Sequence, residues 1–182
     1  AAAFEMPTIK EVEKVDVAKL NMADIANEDL IRAARVEAPR YAIPNAVNIS
    51  PTTSGTWENV VDQAGALRSV WRLRVGCDNA VSMNLGFTEY HLPRGAVLYI
   101  YTSDMKHVIR PFTEADNADH GQLWTPPLPG NEIVIELTVE RDLEREVQLT
   151  LGSINAGYLN FSEIANALDK SGSCNVDVIC SQ

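Results

Sequence analysis

The chain has 182 residues, enough for one domain with an additional arm, and 46% of them are hydrophobic, which is ordinary for a globular protein. Its formal net charge of −10 at pH 7 argues against nucleic acid and anionic membranes as partners, because both select clusters of lysine and arginine. The sequence contains no stretch approaching the roughly 20 apolar residues that a membrane-spanning helix needs.

Residues 1–36 have no lasting hydrophobic period, and we expect them to form an arm laid across the body of the domain or extending from it. Within this arm, residues 27–35 predict a short helix with Asn27 as its N-cap and acidic residues in its first turn. The three alanines at the start fit the remnant of a removed export signal.

From residue 37 onward the pattern changes to strands, in which apolar residues alternate with polar ones. The clearest runs are Trp71, Leu73 and Val75; Val81, Met83, Leu85 and Phe87; Ile133, Ile135, Leu137 and Val139; and Val147, Leu149 and Leu151. Residues 97–101 are apolar on both faces and predict a central strand, whereas residues 111–129 predict a long loop. A repeated period of two predicts an all-β domain over residues 37–160, an antiparallel β-sandwich of jelly-roll type. Residues 161–182 would then follow the sandwich as a separate segment, in which residues 162–170 form a short helix or tether.

Catalytic residues are not predicted in this chain. A hydrolase of the trypsin class needs a serine beside a histidine that an aspartate orients. His91, His107 and His120 lie in no motif of a catalytic base, and no serine has the surroundings of a nucleophile. We expect His107 to lie in a strand, His91 beside a turn, and both at the surface.

The sequence gives only weak indications of a metal site or a sugar-binding site. Asp104 and the acidic residues of segment 114–119 supply oxygen atoms, but their spacing matches no calcium loop, so we predict a solvated loop and leave calcium open. No set of histidine and cysteine residues has the spacing of zinc ligands, and neither a metal nor a cofactor is predicted. Five aromatic residues are candidates for a sugar platform, although core positions are the more common use of such residues: Tyr90, Tyr99, Tyr101, Trp124 and Tyr158.

The cysteines are distributed unevenly. Cys77 lies at a predicted strand end and is interpreted as a small, partly buried apolar residue. Cys174 and Cys180 are close to the C-terminus, and an odd number of cysteines indicates pairing outside this chain in an oxidising compartment. They belong to the stretch Ser171-Gly172-Ser173-Cys174-Asn175-Val176-Asp177-Val178-Ile179-Cys180.

This stretch resembles the mature N-terminus of the secreted bacterial lysyl endopeptidases, which are trypsin-like serine proteases. A looser resemblance, to the β-sandwich regions placed ahead of such protease domains, covers Trp71-Arg72-Leu73-Arg74, Asn84-Leu85-Gly86-Phe87, Leu92-Pro93-Arg94-Gly95-Ala96, Gln122-Leu123-Trp124-Thr125-Pro126 and Asn155-Ala156-Gly157-Tyr158. The resemblance implies that the chain is the N-terminal pro-region of a secreted endopeptidase precursor and that the protease domain follows it.

The same resemblance implies roles for four residues at the C-terminus. Cleavage between Lys170 and Ser171 would release the sandwich and leave Ser171 as a new N-terminus. Cys174 and Cys180 would form disulfides with cysteines of the missing protease domain. That domain, and neither nucleic acid nor membrane, is the expected partner, and the expected location is extracellular.

A second hypothesis from another class remains open. The sandwich could be a retained binding module that recognises carbohydrate or a cell surface while attached to a secreted hydrolase. A pro-region should bind its own protease and be lost on activation, whereas a binding module should bind glycans alone and remain in the secreted protein.

Overall fold

The computed structural model describes residues 8–62 and 64–160. One α-helix, α1 (Met22–Ala34), and ten strands are assigned there. The strands are β1 (Lys14–Asp16), β2 (Ala42–Ile49), β3 (Thr56–Val61), β4 (Leu67–Gly76), β5 (Ser82–His91), β6 (Val97–Thr102), β7 (Leu123–Trp124), β8 (Leu128–Pro129), β9 (Glu132–Glu140) and β10 (Gln148–Gly157). No helix among these residues is long and apolar enough to cross a membrane.

The strands form two sheets that pack face to face. The first, which we call the front sheet, has the order β4-β9-β6, with β1 and β3 both pairing along the other edge of β4. The second, the back sheet, has the order β2-β10-β5, with β7 and β8 both pairing with β5. Most strands cross to the opposite sheet from the one before, as in a jelly roll. The predicted all-β sandwich is therefore confirmed, with one parallel pair, β1 with β4.

The core lies between the sheets and is built from the alternating apolar residues. The inward side chains of β4, β5, β9 and β10 belong to one hydrophobic cluster that includes Trp71, Leu73, Met83, Leu85, Ile135, Leu137 and Leu151. Fully burying such side chains contributes about 1.5–3 kcal/mol each. Val81, which alternates in phase with Met83, Leu85 and Phe87, is 43% exposed because it lies just before β5 begins.

The N-terminal segment is packed onto the front sheet. β1 runs parallel to β4, and the Arg74 guanidinium donates hydrogen bonds to the carbonyl oxygens of Val12 and Lys10, each at 3.0 Å. Leu20 and Ile25 enter the main hydrophobic cluster. This part of the arm is thus attached to the body through buried apolar contacts as well as strand pairing.

The predicted helix exists, but its predicted start was wrong. α1 begins at Met22, and Asn21 is the N-cap, whose side-chain oxygen accepts hydrogen bonds from the backbone N–H groups of Ala23 and Asp24. Asn27 lies inside the helix. Asn21 takes the capping role because it comes first and no helix-breaking residue separates it from Asn27.

A polar cluster fixes α1 to the end of the back sheet. The Tyr158 hydroxyl donates to Asp29 at 2.6 Å, and Arg40 contacts Asp29 at 2.8 Å and Glu28 at 2.6 Å. The tyrosine hydroxyl and the guanidinium together lower the pKa of Asp29. Tyr158 directly follows β10, so the cluster joins the helix to the last strand.

Three further predictions need correction. β6 is at the edge of the front sheet's strand order and not in its centre. The predicted loop 111–129 contains both β7 and β8, which extend the back sheet. His107 lies in a turn region and not in a strand. Cys77, predicted to be partly buried, is fully buried, and its thiol contacts the carbonyl oxygen of Ala18 at 3.3 Å.

The predictions made for the C-terminal segment lie outside the described residues. They are the helix or tether of residues 161–170, the processing residues Lys170 and Ser171, and the disulfide-forming Cys174 and Cys180.

Candidate docking surface

The outer face of the front sheet carries charged side chains that pair with one another. Alternation along β4 directs Arg72 and Arg74 outward, and alternation along β9 does the same for Glu132 and Glu136. Arg72 is only 4% exposed, and it donates two hydrogen bonds to the Glu58 carboxylate of β3, at 2.9 and 3.1 Å. A buried arginine on an outward face therefore joins β3 to β4.

Tyrosine side chains from β6 extend this face. The Tyr101 hydroxyl donates to Glu136 at 2.9 Å, and burial together with the Glu136 carboxylate raises the pKa of Tyr101. Val134 lies between Arg74 and Tyr101 in the sheet register and is fully buried although it points outward. The long side chains on either side shield it from water.

An apolar patch lies where β6 meets its following turn. We call it the tyrosine patch: Tyr99, Tyr101, Met105 and Val108, which with Glu136 line a shallow depression of about 270 Å³. Met105 is 66% and Val108 65% exposed. Single exposed apolar side chains are common on protein surfaces, but here two of them adjoin two tyrosine rings in one depression. Contiguous apolar patches of this kind occur where a protein meets another molecule.

Local hydrogen bonds hold Met105 in this position. Asp104 accepts from the Thr102 hydroxyl at 2.6 Å and from the backbone N–H of Lys106 at 3.1 Å, and the Thr102 bond is the main reason that the pKa of Asp104 is lowered. Met105 at the tip has φ = +58°, a left-handed conformation that non-glycine residues seldom adopt. The turn that follows β6 thus presents a methionine to solvent.

The neighbouring segment, residues 108–112, covers the edge of β6. Leu98 and Phe112 exchange backbone hydrogen bonds of 2.8 and 2.9 Å, and Ile109 donates to Ile100 at 2.9 Å. The edge is therefore occupied, and a partner that meets the tyrosine patch must do so through side chains and not by adding a strand to β6.

The acidic segment 114–119 has a structural use. Asp116 accepts two hydrogen bonds from Arg110, at 2.6 and 3.1 Å, and this ion pair lowers its pKa. Asn117 exchanges hydrogen bonds with the backbone of Leu92, both at 2.9 Å. Within residues 8–62 and 64–160, no group of three or more His, Cys, Asp or Glu side chains is arranged to hold a metal ion.

The five candidate aromatic residues do not form one platform. Tyr90 and Tyr158 are buried, Tyr99 and Tyr101 belong to the outer face of the front sheet, and Trp124 lies on the outer face of the back sheet. The sequence does not distinguish the buried aromatic residues from those on the two outer faces, because the position of each depends on which strands are neighbours.

His91 and His107 are at the surface, as predicted, and His120 is at the surface as well. No histidine side chain is hydrogen bonded to a serine or an aspartate in the part of the chain that the structure describes. The Nδ1 atom of the His120 ring accepts a hydrogen bond from the backbone N–H of Gln122, at 3.1 Å.

These features define a jelly-roll β-sandwich with a charged outer face and an exposed apolar patch on the front sheet. No family model matches the chain. No solved structure matches it significantly.

Proposed function

We propose that this chain is the pro-region of a secreted, lysine-specific, trypsin-like endopeptidase precursor, and that its sandwich binds the protease domain until cleavage after Lys170 releases it. The observation that carries the proposal is the stretch 171–180, with Cys174 and Cys180. It comes shortly after a sandwich whose last strand among the described residues ends at Gly157.

The position of β10 supports a boundary soon after it. β10 has a partner on each side, β2 and β5, so its sheet needs no later strand to fill its interior. The front sheet is assembled from strands that precede β10. The cysteine-containing stretch is thus available to begin a following domain, which would supply the serine, histidine and aspartate of a protease.

The tyrosine patch is the surface that we assign to the protease domain. From Asn160 to Ser171 the chain spans at most roughly 36–40 Å, since an extended chain covers about 3.3–3.6 Å per residue. A compact body of about 150 residues has a radius of gyration near 15 Å. A domain that starts at Ser171 is therefore within reach of the patch, and an apolar protease surface placed there would cover Met105 and Val108.

Processing is tested in the secreted full-length precursor. N-terminal sequencing of the mature enzyme should give Ser171, and Lys170→Gln should block maturation because a neutral amide cannot satisfy an acidic specificity pocket. Lys170→Arg should mature more slowly if the pocket prefers lysine. A mature enzyme that starts far from Ser171, or normal maturation of Lys170→Gln, would contradict the proposal.

Docking is tested with charges placed in the patch. Met105→Glu combined with Val108→Glu should lower the yield of active protease from the precursor, because two carboxylates would be buried without partners. Leu30→Glu is the matched control, since Leu30 is exposed on α1 and lies outside the patch. Equal yields from the patch variant and the control would show that the patch is not the contact.

A further inference from the structure

We propose that the outer face of the back sheet, around Trp124, binds neutral pyranose oligosaccharides. This inference does not rest on the pro-region proposal, because it concerns the opposite face of the sandwich and requires no protease domain.

Trp124 is placed on that face by strand pairing. β7 pairs with β5 so that Trp124 is directly opposite Gly86, whose neighbours Leu85 and Phe87 point into the core. The six-membered part of the indole ring lies over Gly86, and a Cβ at that position would clash with it. The glycine therefore makes room for the ring, while Trp124 remains 55% exposed. An apolar ring surface is presented to solvent at a position set by the backbone.

The indole N–H of Trp124 is also available. Trp57 and Trp71 donate their indole N–H groups to the carbonyl oxygens of Pro51 and Ser54, each at 2.9 Å. Trp124 makes no such bond to any residue that the structure describes. Buried tryptophans normally find a partner for this group, whereas the N–H of the half-exposed Trp124 ring can donate to water or to a ligand hydroxyl.

Small polar side chains lie next to the Trp124 ring on the outer face of the back sheet. Ser153 of β10 is opposite Gly86, and Asn155 is opposite Asn84 in the next outward row. Ser153 donates to the Asn155 carboxamide oxygen at 3.0 Å, which leaves the Asn155 amide hydrogens free to donate. The Asn84 carboxamide has no hydrogen-bond partner within the described ranges. Two carboxamides and a hydroxyl thus lie beside the exposed ring.

The chemistry of this face selects a class of ligand. A pyranose whose substituents are equatorial has an apolar C–H surface that packs on an aromatic ring, and its hydroxyl groups exchange hydrogen bonds with carboxamides. Neighbouring strands are about 4.8 Å apart, so the face from β7 to β2 is about 14 Å wide and suits an elongated chain of sugars. None of the strands of the back sheet contains lysine or arginine, and the chain carries a net charge of −10, so acidic glycans are disfavoured.

The test is a titration of the full chain, labelled with ¹⁵N, using cellohexaose and chitohexaose as neutral probes and an oligogalacturonate as the acidic control. The indole N–H resonance of Trp124 should shift saturably with at least one neutral probe, together with the side-chain amides of Asn84 and Asn155. The indole resonances of Trp57 and Trp71 should not move, since both groups are bonded inside the protein.

Variants decide whether the face is responsible. Trp124→Ala should weaken binding at least tenfold, and Tyr99→Ala, which removes an exposed aromatic side chain from the front sheet, should leave it unchanged. If Trp124→Ala fails to fold, the double variant Asn84→Ala/Asn155→Ala should show the loss instead. The inference is overturned if neither neutral probe binds, if the shifts map elsewhere, or if the folded variants bind as the unaltered chain does.

Discussion

Replacing Glu58 by glutamine should destabilise the sandwich by about 2–4 kcal/mol. The Arg72 and Glu58 side chains are only 5% and 13% exposed, and two hydrogen bonds connect them. Removing one partner of a buried ion pair costs about 3–5 kcal/mol. Arg72 keeps other interactions after this change, and its neighbour across the sheet is the acidic Glu136. The glutamine oxygen remains a neutral hydrogen-bond acceptor near Arg72, and the side chain at position 58 is slightly exposed to water. We therefore expect the loss of stability to lie towards the lower end of this range.

Urea denaturation measures this loss directly. With a slope of about 2 kcal/mol per molar urea, the transition midpoint should fall by about 1–2 M. Glu140→Gln is the matched control, because the Glu140 side chain is 54% exposed and only 3.9 Å from Arg68, and exposed pairs contribute at most about 1 kcal/mol. Equal midpoints for the two variants would refute the claim that the outer face of the front sheet contains a stabilising buried pair.

Two further predictions concern the core and the helix attachment. Leu85→Ala should cost about 2–5 kcal/mol because Leu85 is fully buried, whereas Val81→Ala should cost less than about 1 kcal/mol; equal losses in urea denaturation would show that the inward face is wrongly assigned. The lowered pKa of Asp29 means that its contribution to stability is present above the ordinary carboxyl pKa and lost as pH falls through the lowered value. The melting temperature of the unaltered chain should therefore drop more between pH 6 and pH 3 than that of Asp29→Asn, and parallel drops would contradict this.

The main strands were predictable because their alternation is long. β4, β5, β9 and β10 each have nine or ten residues, so a period of two stands out from chance. β7 and β8 have two residues each and lie among prolines, where no period can be recognised. β6 was placed in the centre because it is apolar on both faces. Its outward side chains, Tyr99 and Tyr101, are apolar because they belong to the exposed tyrosine patch. They do not indicate that β6 has a neighbouring strand on both sides.

Features that depend on register could not be predicted. Alternation correctly directs Arg72 outward, but its burial depends on Glu58, and sequence does not show which residue of β3 faces which residue of β4. The same holds for Trp124 and Gly86, which are far apart in the chain and become neighbours through strand pairing. A glycine within a strand pattern is a sign of close approach by another group, although it does not identify that group.

The location of β10 has a consequence for the order in which the protein can fold. Within the part of the chain that the structure describes, β2 and β5 are joined only through β10, and β4 and β6 only through β9. In each sheet the central strand is therefore the last of the three to leave the ribosome. The strands that are synthesised early therefore have unpaired edges until residue 157 has been made. Pairing between strands that are far apart in the chain is slow. Folding is expected to be post-translational, in one late step, and a chain truncated before β10 should not form the back sheet. An unfolded chain is also the form that can be threaded through a narrow export channel.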